Sequence, residues 1–169
     1  MNPILTAWNR AAAQEALDPM LACCGSRRWA TEMIALRPFE SVDQLIEAAD
    51  IAWSKTSEPD WLEAFACHPR IGERGPANTE SRAASWSRQE QSSTESANAG
   101  VLVAIANGNA AYEKQFGFTY IVSATGKSAN EMLAILNRRL ENDRATELLE
   151  AAGQQWQITQ IRLGKWAST

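Results

Sequence analysis

The sequence predicts an all-α fold: a helical bundle of about eight helices in a single domain over residues 1–169, with one short extended connector. Three observations carry this. Apolar residues recur at three- and four-residue spacing along almost the whole chain, the period of a helix with one buried face. Capping signatures precede several of these runs, as in Ser41 with Gln44 and Ser128 with Glu131. Only Phe118 to Ser123 has the aromatic and β-branched density of a strand, and one such run cannot make a sheet.

The first helix opens on Asn2 as N-cap and Pro3 at the first helical position, with Ile4, Leu5, Trp8, Ala11, Ala12 and Leu17 facing inward. Pro19 predicts a restart, and Gly25 an end. Ser26 caps the next run, which carries Trp29, Met33, Ile34 and Leu36 until Pro38 breaks it. The Ser41 box introduces Leu45, Ile46, Ala49 and Trp53. Ser57 with Pro59 starts a helix bearing Trp61, Leu62 and Phe65, and it delivers His68 at its C-terminal end. Pro69 pushes the residue before it out of the helical region, so the helix stops there.

Residues 70–83 are polar and hold Gly72, Gly75, Pro76 and Asn78, which predicts a loop. Ser85 to about Thr94 reads as a polar helix, with a bend near Glu95 to Asn98. Val101, Leu102, Ile105, Ala106, Asn109, Tyr112 and Phe116 then mark a long amphipathic helix ended by Gly117. The connector follows, with a turn at Thr125-Gly126-Lys127. Ser128 opens a helix with Met132, Leu133, Leu136 and Leu140. The last helix runs from about Asp143 through Leu148, Leu149, Trp156, Ile158, Ile161 and Leu163.

Composition narrows the function. The net charge is -4 and the pI about 5.1, with no basic patch, which disfavours nucleic acid as a partner. No apolar window reaches the ~18 residues of a membrane span, and no signal peptide is expected. Cys23, Cys24 and Cys67 have no metal-ligand spacing, and an odd count fits a reducing cytoplasm. Cys67 is expected to be a small buried apolar residue rather than a nucleophile. The seven tryptophans read as core or half-buried packing.

Three places hold polar groups that helix packing does not require. His68 is the single histidine, the side chain that changes charge near neutrality; it is either a proton carrier or a surface residue at a helix end. Ser87, Glu90 and Gln91 share one helical face, either a site or a solvated surface. Arg162 sits between Ile161 and Leu163, either a ligand for anionic oxygens or an arginine with a buried stem.

Taken together these residues resemble the 2-oxo-4-hydroxy-4-carboxy-5-ureidoimidazoline (OHCU) decarboxylase family. The resemblance rests on Cys23-Cys24-Gly25-Ser26, Arg37-Pro38-Phe39, Asp60-Trp61-Leu62, His68-Pro69-Arg70-Ile71-Gly72 and Ser87-x-x-Glu90-Gln91. It continues through Asn109-x-x-Tyr112, Phe116-Gly117-Phe118, Gly126-Lys127-Ser128, Arg139-Leu140-x-Asn142 and Ile158-Thr159-x-x-Arg162-Leu163. Gln157 stands where many members carry lysine, and Ser123 where cysteine is common.

The resemblance implies an all-helical, cofactor-independent enzyme, with no metal, that converts OHCU to (S)-allantoin and is commonly a cytoplasmic homodimer. It implies His68 as the catalytic histidine and Glu90 as a substrate contact, and Glu90 is expected to act with His68 at the hydroxyl and carboxylate end of the substrate. Pro69, Ser87, Gln91 and Arg162 are implied as substrate contacts, together with backbone groups of the connector at Phe118 and Ile121. Two other readings stay open on the residues alone: a helical binding module, and a hydrolase acting on a related ureide.

Overall fold

The computed structural model describes residues 2–73 and 81–169. Among the described residues there are nine α-helices, one 3-10 turn and no strand, so the chain is all-helical as its periodicity predicts. Gly75, Pro76 and Asn78, part of the loop expected over 70–83, lie outside the described residues. The chain divides into two compact units: residues 2–64 with 156–169, and residues 65–155.

The first unit holds α1 (Pro3–Arg10), α2 (Ala13–Cys23), α3 (Arg27–Ala35) and α4 (Val42–Ser54). It also holds most of α5 (Glu58–Ala66) and the C-terminal part of α9 (Arg144–Ala167). The expected caps form: Asn2 accepts from the Leu5 amide, Ser26 from Trp29 and Ser41 from Gln44. Tryptophans build the core. Trp8 stacks on Phe39 and meets the edge of Trp166, and Trp53 stacks on Trp156.

One boundary differs from the sequence reading. The expected break at Pro19 does not occur; Pro19 lies inside α2, and the chain turns at Ala11 and Ala12 instead. The Arg37 guanidinium explains the new position, donating to the Trp8 and Ala11 carbonyls at 2.6 and 2.9 Å and so satisfying the end of α1. Within α2, the fully buried face of Ala16, Met20 and Cys23 outweighs the one bond that Pro19 cannot donate.

The second unit contains α6 (Arg82–Glu90), the 3-10 turn Ser92–Thr94, α7 (Ala99–Phe116), α8 (Ala129–Arg139) and α9 up to Gln155. The cap of α6 is Ser81, which accepts from Ala84 at 3.1 Å, so this helix begins earlier than the expected Ser85. Helices α7 and α8 approach closely. A Cβ added to Gly108 would lie 2.5 Å from Cδ2 of the fully buried Leu136, which leaves no room for a larger residue. Gly117 ends α7 at φ 82°, a conformation that glycine adopts without steric penalty. Residues 118–123 then form no strand, and all but Thr119 are buried.

Beneath this connector lies a buried charged cluster. Arg139 is fully buried and pairs with the equally buried Glu147. The Tyr112 hydroxyl also donates to Glu147, and the Arg139 guanidinium lies 4.9 Å from the centre of the Tyr120 ring. Burial works against the charge of Arg139, but the bond to Glu147 and the neighbouring oxygens outweigh it and its pKa is raised.

Burial likewise holds the Tyr112 and Tyr120 phenols protonated well above their ordinary range. These are the two tyrosines of the chain. A folded pKa raised above the unfolded value of about 10 contributes stability that is complete below that pH. The contribution declines as pH climbs toward the folded values. An alkaline titration followed by near-ultraviolet absorbance should therefore show no tyrosinate around pH 10 while the protein stays folded. Ionisation and loss of helical circular dichroism should appear together; tyrosinate forming in an intact fold would contradict the buried cluster.

Candidate functional site

The site is built from the chain after α5. The His68 amide donates to the Phe65 carbonyl at 3.1 Å, closing the last turn, and Pro69 prevents further helix. The following residues are pinned from two sides. The Asn109 side-chain amide donates to the Ile71 carbonyl at 3.0 Å. The Gly72 amide donates to the Gln91 Oε1 at 3.0 Å. Gly72 has φ 83°, so glycine is required for that amide to face Gln91 without strain. Arg70 turns outward in a forked pair with Glu113, at 2.6 and 3.0 Å, and this bond raises its pKa.

The His68 imidazole is half-buried, and its Nε2 lies 2.7 Å from Oε1 of Gln155, a fully buried residue on α9. The preceding residue, Gln154, accepts from the Ser123 amide at 2.9 Å. Consecutive residues of one helix thus hold the histidine and the end of the connector. Neither glutamine stands out in the sequence. The available signal was position: Gln155 lies on the same stripe as the buried Leu148, Ala151 and Ala152, where an amide needs a partner.

The connector is clamped by side chains. Arg139 Nη1 donates to the Ile121 carbonyl at 2.5 Å, and Lys127 Nζ to the Ser123 carbonyl at 2.6 Å. The amides of Tyr120, Ile121 and Val122, and the carbonyls of Tyr120 and Val122, have no hydrogen-bond partner among the described residues. All three residues are buried. The Phe118 ring packs against Phe65, Tyr112 and Phe116, so its side chain belongs to the core and only its backbone can serve a ligand.

Ser87 and Glu90 lie on α6, Ser87 buried and Glu90 half-buried, and Gln91 is its C-cap. The Gln91 oxygen holds Gly72 with one of its two lone pairs, and its NH₂ is a group it can offer a ligand. Glu90 also lines an open cavity of about 430 Å³ with Ser92, Ser93, Thr125, Lys127 and Ser128. Glu90 is the one candidate residue on its wall.

His68, Pro69, Ser87, Glu90, Gln91, Phe118 and Ile121 all belong to the second unit, and Arg162 to the first. Arg162 is buried on α9 and donates to the Ala22 carbonyl at 3.2 Å. Cys67, expected to be buried, is exposed: it lies in the turn that follows the end of α5. Cys23 and Cys24 are buried. Among the described residues no group of three or more His, Cys, Asp and Glu side chains could hold a metal. No helix among them is long and apolar enough to cross a membrane.

Comparison with known proteins bears on the family and the fold. The chain is 38% identical over 149 residues to the uric acid degradation bifunctional protein TTL of Arabidopsis thaliana, covering 88% of this chain and 46% of that protein. It therefore spans about half the length of that relative. It is 28% identical over 129 residues to the 2-oxo-4-hydroxy-4-carboxy-5-ureidoimidazoline decarboxylase of Haloferax volcanii, covering 76% of this chain and 74% of that one.

The fold matches a crystal structure of OHCU decarboxylase in the presence of (S)-allantoin, with TM-score 0.77 and 34% identity over 90% of this chain and 99% of that one. A crystal structure of (S)-allantoin synthase shares the fold at TM-score 0.71 and 19% identity, covering 96% of this chain and 53% of that one. The OHCU decarboxylase family model matches residues 9–164, nearly the full span over which the helices, the His68 segment and the connector have been described, and the chain belongs to that family.

Proposed function

We propose that this chain decarboxylates OHCU to (S)-allantoin without a cofactor, with His68 moving the proton. One observation carries the reading most directly. Within one compact unit, His68, the Gln91 end of α6 and the connector are tied together through Gly72, Gln154 and Gln155. That arrangement offers an imidazole and a row of buried backbone amides and carbonyls, which suits a small, flat, amide-rich substrate.

The substrate supplies its own electron sink. OHCU carries a hydroxyl and a carboxylate on one ring carbon, beside a carbon–nitrogen double bond. When the carbon–carboxylate bond breaks, carbon dioxide departs and the electron pair moves into that imine, whose nitrogen takes a proton. The resulting enol then loses its hydroxyl proton while the neighbouring carbon gains one on a single face, which sets the S configuration. In this reading His68 and Glu90 hold the hydroxyl and carboxylate end, and His68 relays the proton. Ser87, the Gln91 NH₂, Pro69 and the connector backbone at Phe118 and Ile121 orient the ring and ureido groups. Arg162 binds carbonyl or carboxylate oxygens through its forked guanidinium.

The same reading makes the protein a cytoplasmic homodimer, which light scattering of the purified chain tests by mass. The activity is tested with freshly generated OHCU, following allantoin by circular dichroism. Accelerated appearance of the S enantiomer supports decarboxylation. Ring opening without carbon dioxide release would make the protein a hydrolase, and no change over the spontaneous reaction would leave it a binding module.

A further inference from the structure

Helix α9 reaches the connector twice from one face. Glu147 and Gln154 are two helical turns apart, about 10 Å along the axis, and so share a side of the helix. Glu147 acts through Arg139, which it pairs with and which donates to the Ile121 carbonyl at 2.5 Å. Gln154 acts directly, its Oε1 accepting from the Ser123 amide at 2.9 Å. All of these groups belong to one compact unit.

The two bonds also direct groups that they do not touch. A trans peptide is planar, and its N–H points opposite to its C=O. Both peptide groups flanking Val122 are trans. With the Ile121 carbonyl turned to Arg139, the Val122 N–H points the other way. With the Ser123 N–H turned to Gln154, the Val122 C=O points the other way. Arg139 and Gln154 both stand on that face of α9, so the donor and the acceptor of Val122 both turn away from it. Val122 is buried, and neither group has a hydrogen-bond partner among the described residues. Buried backbone groups are nearly always paired. A donor and an acceptor on one residue match an N–H beside a C=O, the edge of a cyclic amide or a urea.

We infer that Gln154 and Arg139 are positioning residues that aim the Val122 N–H and C=O at an amide or urea edge of the substrate. That the substrate is OHCU rests on the proposed decarboxylation; the aim of the two peptide groups does not. Gln154 is the member to replace, because it is half-buried and uncharged, whereas Arg139 carries a buried charge.

The sequence makes both peptide groups separately readable, since Ile121-Val122 and Val122-Ser123 are the only Ile-Val and Val-Ser pairs in the chain. A full chain labelled with ¹³C-carbonyl isoleucine and ¹⁵N-valine gives one carbonyl–amide correlation, and one labelled with ¹³C-carbonyl valine and ¹⁵N-serine gives another. On titration with (S)-allantoin, the Val122 amide proton and the Val122 carbonyl carbon should both move downfield, while the Ser123 amide proton stays in place. Gln154→Leu should shift the Ser123 proton upfield in the free chain. It should raise the Kd for (S)-allantoin and the KM for OHCU about three- to tenfold, the loss of roughly one hydrogen bond, with kcat little changed. Gln154→Glu, which keeps an acceptor at the same reach, should recover most of that loss.

Val122 signals that stay still at saturating (S)-allantoin overturn the inference, as does an unchanged KM in Gln154→Leu or a fall in kcat alone. The wild-type titration decides the matter even if that variant fails to fold. A chain that decarboxylates OHCU with its Val122 signals unmoved would overturn the inference alone. Moving Val122 signals in a chain that does not decarboxylate OHCU would overturn the proposed reaction, while the roles of Gln154 and Arg139 would stand.

Discussion

On the proposed mechanism, replacing His68 with asparagine should lower OHCU turnover by about 10²–10⁴-fold and leave the helical circular dichroism unchanged. The magnitude is that of a general acid–base group removed from a site otherwise intact. The fold should persist because the anchors of this segment are elsewhere. Asn109 holds the Ile71 carbonyl and Gln91 the Gly72 amide, and neither bond involves the imidazole. The variant does remove the bond between the imidazole and the buried Gln155, a loss of about 0.5–1.5 kcal/mol that urea denaturation would register. A His68→Asn protein with nearly full turnover would mean that some other group moves the proton.

Removing the carboxylate of Glu147 should have the largest effect on stability. Glu147→Ala leaves the fully buried Arg139 guanidinium with only the more distant Glu150 carboxylate, 4.0 Å away, and breaking a buried pair in this way costs about 3–5 kcal/mol. The Tyr112 hydroxyl and one side-chain bond of Asn142 lose their acceptor in the same step. Chemical denaturation at neutral pH measures the loss. Glu113→Ala provides the contrast, since its partner Arg70 is exposed and the pair is screened by salt. Equal effects from the two substitutions would mean that the buried cluster does not carry the unit. Because Arg139 also holds the Ile121 carbonyl, a partly folded Glu147→Ala protein should bind substrate more weakly as well.

The helical class was legible because caps and apolar spacing are local signals. Asn2, Ser26, Ser41 and Ser128 each cap where the sequence places them, since each bond spans only three residues. Pro19 misled because its local penalty is opposed by tertiary burial of Ala16, Met20 and Cys23, which no short window reveals. The α1–α2 turn was missed for a related reason: Arg37, more than 25 positions along, stabilises it.

The candidate site divides in the same way. His68, Ser87, Glu90 and Gln91 were legible as residue types at telling spacings. Gln154 and Gln155 were not, because a glutamine at a buried helical position becomes informative only once its partner is known. Arg139 belongs to the pattern Arg139-Leu140-x-Asn142, but nothing local in that pattern signals burial. A fully buried arginine is improbable until Glu147, eight residues away across a helix boundary, is seen facing it.

The adjacent glutamines of α9 have a mechanical consequence. Two attachment points on neighbouring residues of a stiff rod cannot drift apart when the rod shifts. A thermal slide or roll of that rod would carry the imidazole and the Ser123 amide along together, so the spacing that a bound molecule experiences between them is preserved. Tolerance to vibration at this site is then set by the rigidity of one helix rather than by the accuracy with which several helices stack.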